Sequence, residues 1–416
     1  MDAKPDEVKI AITGLRLKMY VSRLDRPWIE TPFIFEGLFV ETADQLSRLQ
    51  ALCRYVYVDP ARGLRPEARY VQSDDAAATA PRAAFQSEFA RINTTSWPEK
   101  ATVEAELPVA KGVRQQLEHG IEGMMNDLRA GRDLDMGTLR EGVGAMIDSV
   151  TRNPSAFLWL KAIRKKSSYA YQHALGCSVW AASFGRHLGM NRDEINDLAF
   201  AGLLFDVGKT TLPGELLEKT SSFDDVDREV MRTHVQASID ILERTPGVSK
   251  RTIQAVATHH ERHDGTGYPK GMRGAQIPIF GRLIGLIDSY DAMTTTRPHA
   301  PGRSPHQAVM ELYNARDGLF QADLVEQFIQ TCGVYPTGSL VELSDGRVGV
   351  VTAVHELKRL RPNVMLLFDA EKKPLPDFEP IDLSQIGPDA NGVLLTVRRG
   401  LPEGAHGIDT SELFLD

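Results

Sequence analysis

The amino-acid sequence predicts a mainly α-helical protein, in which a helical bundle domain is flanked by a small N-terminal α+β module and a small C-terminal β module. Apolar residues alternate with polar ones near the N-terminus, which is the pattern of a half-buried strand. From about residue 110 to 332 they recur every three or four residues, as in amphipathic helices. After residue 335 a hairpin turn and short apolar runs return. A length of 416 residues accommodates two or three such domains.

Composition excludes several classes of protein. The chain has 48 basic and 56 acidic residues, a net charge of −8 and a pI near 5.8, so neither a nucleic-acid polymer nor an anionic membrane is an expected partner. The N-terminus lacks the apolar core of a signal peptide, and no run approaches the roughly 20 apolar residues of a membrane span. Three widely separated cysteines form no disulfide framework. We expect a soluble, cytoplasmic protein.

The N-terminal module is predicted over residues 1–72. Alternation over 15–21 predicts a strand, leucines spaced by three predict a helix over 43–53, and an aromatic, β-branched run predicts a strand over 55–58. Composition then shifts to Ala, Pro, Ser and Thr, which predicts a linker over 73–107.

The helical domain is predicted over residues 108–334. Two apolar stripes, near 117–128 and 139–150, predict helices that either belong to the core or form an antenna for a dimer, and the core interpretation is preferred. Glycine and proline punctuate 264–276, which therefore predicts a loop. The further predicted helices are Ser168–Leu188, Arg192–Phe205, Asp224–Glu243, Lys250–His260, Phe280–Met293 and Ser304–Ala315.

The C-terminal β module is predicted over residues 335–416. Asp345-Gly346 lies between two apolar runs and predicts a hairpin with a two-residue turn. Short strands are also expected over 364–368 and 393–397.

Histidine is concentrated in the helical domain, where six of the 11 histidines fall within 91 residues. Neutral imidazole is a common metal ligand, and carboxylates complete such shells. Asp288 lies on an otherwise apolar helix, where a carboxylate without a partner is costly and is usually paired or metal-bound. The candidates are His173, His187, His234, His259, His260 and His263, with Asp206, Asp264, Asp288 and Asp291.

The most specific feature is the string HHERHDGTGYPKG at residues 259–271. Its glycines allow the backbone to approach a ligand closely, and Tyr268 offers a ring face for a nucleobase or a hydroxyl for a phosphate. The string resembles the defining motif of the HD-GYP family, HHExxDGxGYP, at all eight defined positions. Neighbouring segments extend the resemblance over residues of about 165–320. The matching positions are His259, His260, Glu261, Asp264, Gly265, Gly267, Tyr268 and Pro269.

This resemblance implies an all-helical, metal-dependent phosphodiesterase that hydrolyses cyclic di-GMP to a linear dinucleotide, with GMP left open as a further product. Two divalent metal ions, iron or manganese, are expected. Lys209 would contact the scissile phosphate and act in catalysis with Asp206, which would also bridge the two ions. Tyr268, Arg297, Gly267 and Pro269 would contact the substrate. The implied metal ligands are His173, Asp206, His234, His259, His260 and Asp288.

The chain departs from the family pattern at four positions. Phe205 stands where the histidine of the His-Asp pair is expected, and Tyr169 stands where some members have a glutamate ligand. Ala300 replaces a basic residue, and Gln276 replaces a glutamate. One predicted ligand shell therefore loses an imidazole, whereas the shell of Asp206, His234, His259 and His260 is complete.

Two functions remain open at this point. The enzyme is preferred because the other ligand residues are retained. The alternative is a catalytically degenerate protein that senses cyclic di-GMP or binds partner proteins through the GYP loop, which is the loop that contains Gly267, Tyr268 and Pro269. A homodimer is also compatible with the sequence. We further expect that Asp291 pairs with Arg282 or Arg297, that His263 faces solvent, and that His187 only ends a helix.

Overall fold

The structure is a computed structural model. It describes residues 7–25, 37–71, 88–162, 169–295, 302–355, 360–389, 393–402 and 404–408. Arg297 and Ala300 lie outside these ranges. Within them, none of the helices combines the length and the apolar character that a membrane span requires.

The N-terminal module is an antiparallel sheet with one helix, α1 (Ala43–Leu52). Its strand order is β1-β4-β2-β3. The predicted strand over 15–21 is wrong in its first part, because the chain turns at Leu17 and Lys18 and pairs only from Tyr20 onward. The strands are β1 (Val8–Ala11), β2 (Tyr20–Leu24), β3 (Leu38–Phe39) and β4 (Tyr55–Val58).

The central part is helical, as predicted. A short helix, α2, covers 88–92. The next helix starts at Val103, inside the predicted linker, because the Thr102 side chain accepts a hydrogen bond from the Ala105 amide and caps it. The remaining helices are α3 (Val103–Arg129), α4 (Gly137–Arg152), α5 (Pro154–Ala162), α6 (Tyr169–His187), α7 (Arg192–Leu204), α8 (Gly214–Leu217), α9 (Asp225–Arg232), α10 (His234–Arg244), α11 (Lys250–Thr258), α12 (Ile279–Thr294), α13 (Pro305–Asn314) and α14 (Ala322–Cys332).

Helices α3 and α4 pack on each other and on α5 and α6, so their apolar stripes belong to the core. The predicted single helix over 224–243 is wrong, since it divides into α9 and α10 at Thr233. The Thr233 amide and hydroxyl both bond the Val230 carbonyl, which tightens the turn and starts a new helix at His234.

The C-terminal module is a five-stranded antiparallel sheet of order β8-β7-β6-β5-β9. The predicted hairpin exists, but its loop has three residues, 344–346. The Leu343 amide bonds the Arg347 carbonyl, and Gly346 adopts a φ of +91°. The strand predicted over 393–397 lies further along the chain, at β9. The strands are β5 (Leu340–Leu343), β6 (Val348–Ala353), β7 (Asn363–Phe368), β8 (Pro374–Asp382) and β9 (Val397–Gly400).

Candidate metal centre

The six predicted ligand residues come from five helices and lie close together in space. His173 is on α6 and Asp288 is on α12, while the other four lie at helix ends. Asp206 follows α7, His234 opens α10, and His259 and His260 follow α11. The folded helices therefore unite residues that are up to 115 positions apart in sequence.

Two glycines allow the helices to approach closely enough for this. A Cβ atom on Gly208 would lie 2.2 Å from the His234 carbonyl oxygen, and one on Gly285 would lie 2.5 Å from the His259 carbonyl oxygen. Ser238 fixes the first contact, because its hydroxyl donates to the Phe205 carbonyl and accepts from the Gly208 amide. The sequence analysis did not identify Gly208, Gly285 or Ser238, since their importance depends on contacts between distant segments.

Four side chains form the tightest cluster, and we call them the quartet: Asp206, His234, His259 and His260. Their ligand atoms all lie within 4.8 Å of one another. The Nδ1 atoms of His234 and His259 are each 2.6 Å from a backbone carbonyl oxygen, which can only accept a hydrogen bond. Nδ1 therefore donates a hydrogen bond, and Nε2 of each ring faces the cluster.

Burial favours the neutral form of two histidines of the quartet, His259 and His260. It is the main reason that the pKa of His259 falls to about 4, and the neighbouring His234 lowers it further. Burial, followed by the proximity of His259, also places the pKa of His260 well below its usual value. Neutral imidazole is the form that binds a metal ion.

Asp206 completes the quartet as a carboxylate. Burial would raise its pKa, but the Lys209 ammonium and the contact with His234 hold that pKa well below its usual value. Its Oδ2 accepts a hydrogen bond from Lys209 Nζ at 2.5 Å. Its Oδ1 lies 3.2 Å from His234 Nε2.

The quartet fits a divalent cation. Three of its buried atoms, Asp206 Oδ1, His234 Nε2 and His259 Nε2, have no hydrogen-bond partner. Buried polar atoms left in this way are costly unless something else satisfies them. One carboxylate with three imidazoles is a donor set that suits zinc, iron or manganese.

His173 has a different environment. Its Nε2 lies 3.1 Å from Asp288 Oδ1 and 3.9 Å from Asp206 Oδ2, and its Nδ1 lies 2.8 Å from Asp291 Oδ2. Burial would lower the pKa of this imidazole. Its neighbours, among them Cys177, and the two nearer carboxylates raise it well above its usual value.

The expected pairing of Asp291 with an arginine is wrong for Arg282, which bonds Glu88 instead. The cation beside Asp291 is Lys161, whose Nζ lies 2.6 Å from Asp291 Oδ1. Asp291 is fully buried. Burial would raise its pKa, but Lys161 and His173 lower it.

Two of the four departures from the family pattern, Phe205 and Tyr169, contact His173. Phe205 is 1% exposed, and its ring centroid lies 5.5 Å from that of His173 and 4.9 Å from that of His259. Tyr169 stacks on His173 with ring centroids 5.2 Å apart. An apolar ring thus occupies the region where the missing imidazole is expected.

The GYP loop folds back over the quartet. Buried Glu261 accepts hydrogen bonds from the Lys270 and Met272 amides at 2.7 and 2.8 Å. A Cβ on Gly267 would lie 2.3 Å from the Arg262 amide, so this glycine is required for packing within the loop. The following peptide bond, between Tyr268 and Pro269, is cis.

Tyr268 is placed to use its hydroxyl more readily than its ring. One face stacks on His260, with centroids 4.6 Å apart, and the Arg232 guanidinium lies 5.1 Å from the ring centroid. Burial raises the pKa of this phenol, so its hydroxyl stays protonated and can donate a hydrogen bond. The ring of Tyr268, which would have to stack on a nucleobase, is therefore already in contact with His260.

Two other expectations concern histidines outside the cluster. His263 is half-buried, and its Nδ1 is enclosed without a hydrogen-bond partner, so the expectation that it faces solvent is wrong. The last histidine of α6, His187, bonds the Gln327 side chain at 3.0 Å and lies apart from the cluster.

An open cleft of about 410 Å³ borders the cluster. Lys209 and Arg262 bring positive charge to its wall, and His173, His260 and Asp288 reach it from the side of the cluster. The rest of its lining is Tyr169, Ser289, Ala292, Met293, Glu311, Leu312, Ala315, Leu319 and Phe320.

Comparisons with known proteins match three parts of the chain. An HD domain family matches residues 158–324, a domain of unknown function matches 7–139, and a KOW domain associated with HD domains matches 340–386. The fold and the cluster therefore define an HD-domain protein.

Relatives identify the family more closely. A cyclic di-GMP phosphodiesterase of Pseudomonas aeruginosa is 30% identical over 383 residues, covering 91% of this chain and 89% of the relative. A 3′3′-cGAMP-specific phosphodiesterase of Vibrio cholerae is 28% identical over 202 residues, covering 47% of this chain and 38% of the relative. An HD-GYP protein from Bdellovibrio bacteriovorus matches with a TM-score of 0.45 and 14% identity, over 78% of this chain and 98% of that chain. The chain belongs to the HD-GYP family.

Proposed function

We propose that this protein is a metal-dependent phosphodiesterase that hydrolyses cyclic di-GMP. The quartet carries the proposal, because three of its buried atoms have no hydrogen-bond partner and its His260 lines an open cleft with cationic groups on its wall. The relatives named as cyclic di-GMP phosphodiesterases support the substrate. Iron or manganese is the proposed metal, and the proposed product is the linear dinucleotide.

The reaction adds one water molecule across a phosphodiester bond. The hydroxyl of water joins phosphorus, the P–O3′ bond breaks, and the ribose 3′ oxygen leaves with a proton. A divalent cation on the quartet would lower the pKa of the attacking water and polarise the phosphoryl group.

Residues of the chain would bind the substrate and stabilise the transition state. Lys209 lies in the cleft beside Asp206, where its ammonium can bind a phosphoryl oxygen and stabilise the negative charge of the transition state. Arg262 adds a second cation on the cleft wall, and its guanidinium is held by the His259 and Glu261 carbonyls. The Tyr268 hydroxyl is a further donor for the substrate.

Three buried cysteines that form no disulfide fit a reducing compartment and support a cytoplasmic location. Partner proteins bound through the GYP loop, a homodimer, and contacts of Arg297, Gly267 and Pro269 with the substrate stay predictions.

The test is turnover by the purified chain. The protein is prepared anaerobically, supplied with Mn²⁺ or Fe²⁺, and the loss of cyclic di-GMP is followed by chromatography, with 3′3′-cGAMP as a second substrate. We expect hydrolysis of cyclic di-GMP to a linear dinucleotide. Lys209→Met should lower kcat at least tenfold with the metal retained, whereas Lys250→Met, at an exposed lysine on α11, should have no effect. Tight binding of cyclic di-GMP without turnover in the metal-loaded protein would contradict the proposal and identify a sensor.

A further inference from the structure

A second metal ion in the candidate centre would have to bind next to His173, on the side away from the quartet. The described residues contain two groups of ligand atoms that lie within 4.8 Å of one another. One group is the quartet, and His173 belongs to the other, with Cys177 and Asp291. His173 is thus grouped apart from the four side chains that converge on one point.

The second group already contains a positive charge. Lys161 Nζ lies 2.6 Å from Asp291 Oδ1, and Asp291 Oδ2 lies 2.8 Å from His173 Nδ1. Nε2 of His173 then meets Asp288 at 3.1 Å. These contacts form a continuous polar chain, Lys161–Asp291–His173–Asp288, in which both nitrogens of His173 have carboxylate partners and Asp291 Oδ1 has the Lys161 ammonium as its ion-pair partner.

Asp206 is the residue that would have to serve both ions. Its Oδ1 faces His234 inside the quartet, but its Oδ2 is bonded to Lys209 Nζ at 2.5 Å. An ammonium group at that oxygen repels a second divalent cation. One carboxylate oxygen of Asp206 therefore faces the quartet, and the other is hydrogen-bonded to Lys209.

Within the described residues, two walls of this place are aromatic rings. Phe205 supplies a phenyl ring between His173 and His259, and Tyr169 covers His173 with its ring. A cation at this place would have fewer protein donors than one in the quartet, and the loss of a ligand strongly weakens affinity.

We propose that this chain binds a single catalytic cation, on the quartet, and that Lys209 together with the Lys161–Asp291–His173 chain occupies the place of a second one. The inference rests on the proposed function, because it takes the quartet as a metal site. It also assigns Lys209 part of the charge neutralisation that a second metal ion would supply.

The test counts the ions. The full chain is loaded anaerobically with excess Mn²⁺, desalted, and measured for manganese per chain by mass spectrometry and for magnetic coupling by electron paramagnetic resonance. We expect one Mn²⁺ per chain, with the six-line spectrum of an isolated ion. Two per chain with an exchange-coupled spectrum would overturn the inference and leave the proposed function intact.

Two variants distinguish the sides of the centre. His173→Gln should retain one Mn²⁺ per chain, and His234→Gln should retain none. Loss of the ion from His173→Gln would show that His173 is a ligand of the single ion and would overturn the assignment. A wild-type chain that binds no manganese, iron or zinc would overturn the proposed function, and this inference with it.

Discussion

The two sides of the candidate centre are the quartet and the group around His173. Both contain histidine and aspartate, but the hydrogen bonding of these residues differs between the sides. In the quartet, two histidines use Nδ1 to hold a backbone carbonyl, which leaves Nε2 buried without a partner. On the other side, both nitrogens of His173 lie within hydrogen-bonding distance of carboxylate oxygens, and a lysine completes the chain. Sequence similarity to the family groups all six residues as ligands, although of the four histidines among them only His234 and His259 have a buried nitrogen without a hydrogen-bond partner.

The difference shows that a metal site is recognised by the lone pairs that folding leaves unsatisfied. A buried histidine whose nitrogens both have partners is stable without an ion. A buried histidine with one free nitrogen is costly until something binds there. A buried histidine is therefore weak evidence for a metal site next to Asp288 and Asp291, and strong evidence for one in the quartet.

The largest expected effect comes from breaking the quartet. His234→Ala should lower hydrolysis of cyclic di-GMP at least a hundredfold, because a direct ligand is lost and even outer contacts are worth about 10–100-fold in affinity or activity. The rate and the bound metal are measured together. His187→Ala, which removes a histidine apart from the cluster, is the matched control and should retain both. Full activity in His234→Ala would exclude the quartet as the active metal site.

Adding the missing imidazole should allow the His173 side to bind a metal ion, as the quartet does. Phe205→His should raise bound Mn²⁺ from one toward two per chain and increase kcat, because the new ring adds a donor between His173 and His259. Phe205→Leu, which removes the ring without adding a donor, should stay at one. An unchanged metal count in Phe205→His would show that Phe205 is not what limits the second site.

The GYP loop packs on the quartet, where Tyr268 stacks on His260, and Glu261 anchors the loop. Glu261→Gln should weaken the charge-assisted hydrogen bonds to the Lys270 and Met272 amides by about 1–3 kcal/mol in total. We expect a KM for cyclic di-GMP several times higher, with the metal count unchanged, from steady-state kinetics and metal analysis. Glu215→Gln, at an exposed glutamate far along the chain, serves as the control. A normal KM in Glu261→Gln would mean that the loop holds its position without this anchor.

The smallest effect on activity is expected from a substitution on the His173 side. Lys161→Met leaves buried Asp291 with His173 as its remaining charged partner and should lower the free energy of unfolding by about 1–3 kcal/mol. Denaturant unfolding measures this change, and bound metal should stay at one per chain. Arg132→Met, which breaks an exposed ion pair with Asp127, should cost about 1 kcal/mol or less. A loss of metal in Lys161→Met would mean that the two sides depend on each other.

Much of the fold could be predicted from the sequence because helices and strands repeat locally. The apolar stripes of α3 and α4, the bounds of α7 and the punctuated loop after His260 all follow from spacing and turn residues. The errors fell where a local contact changed the pattern. The alternation over 15–21 surrounds a turn, and Thr233 divides a helix that periodicity alone would continue.

The sequence by itself determined the family, the identity of the candidate ligands and the defect at Phe205, because the motif from 259 to 271 and the residue before Asp206 can be read without a structure. Only the tertiary structure decided which nitrogens are free, that Lys161 neutralises Asp291, and that Lys209 holds one oxygen of Asp206. These properties depend on atoms brought together from distant segments. Partner and burial determine whether a histidine or an aspartate can bind an ion, and neither is encoded in local spacing.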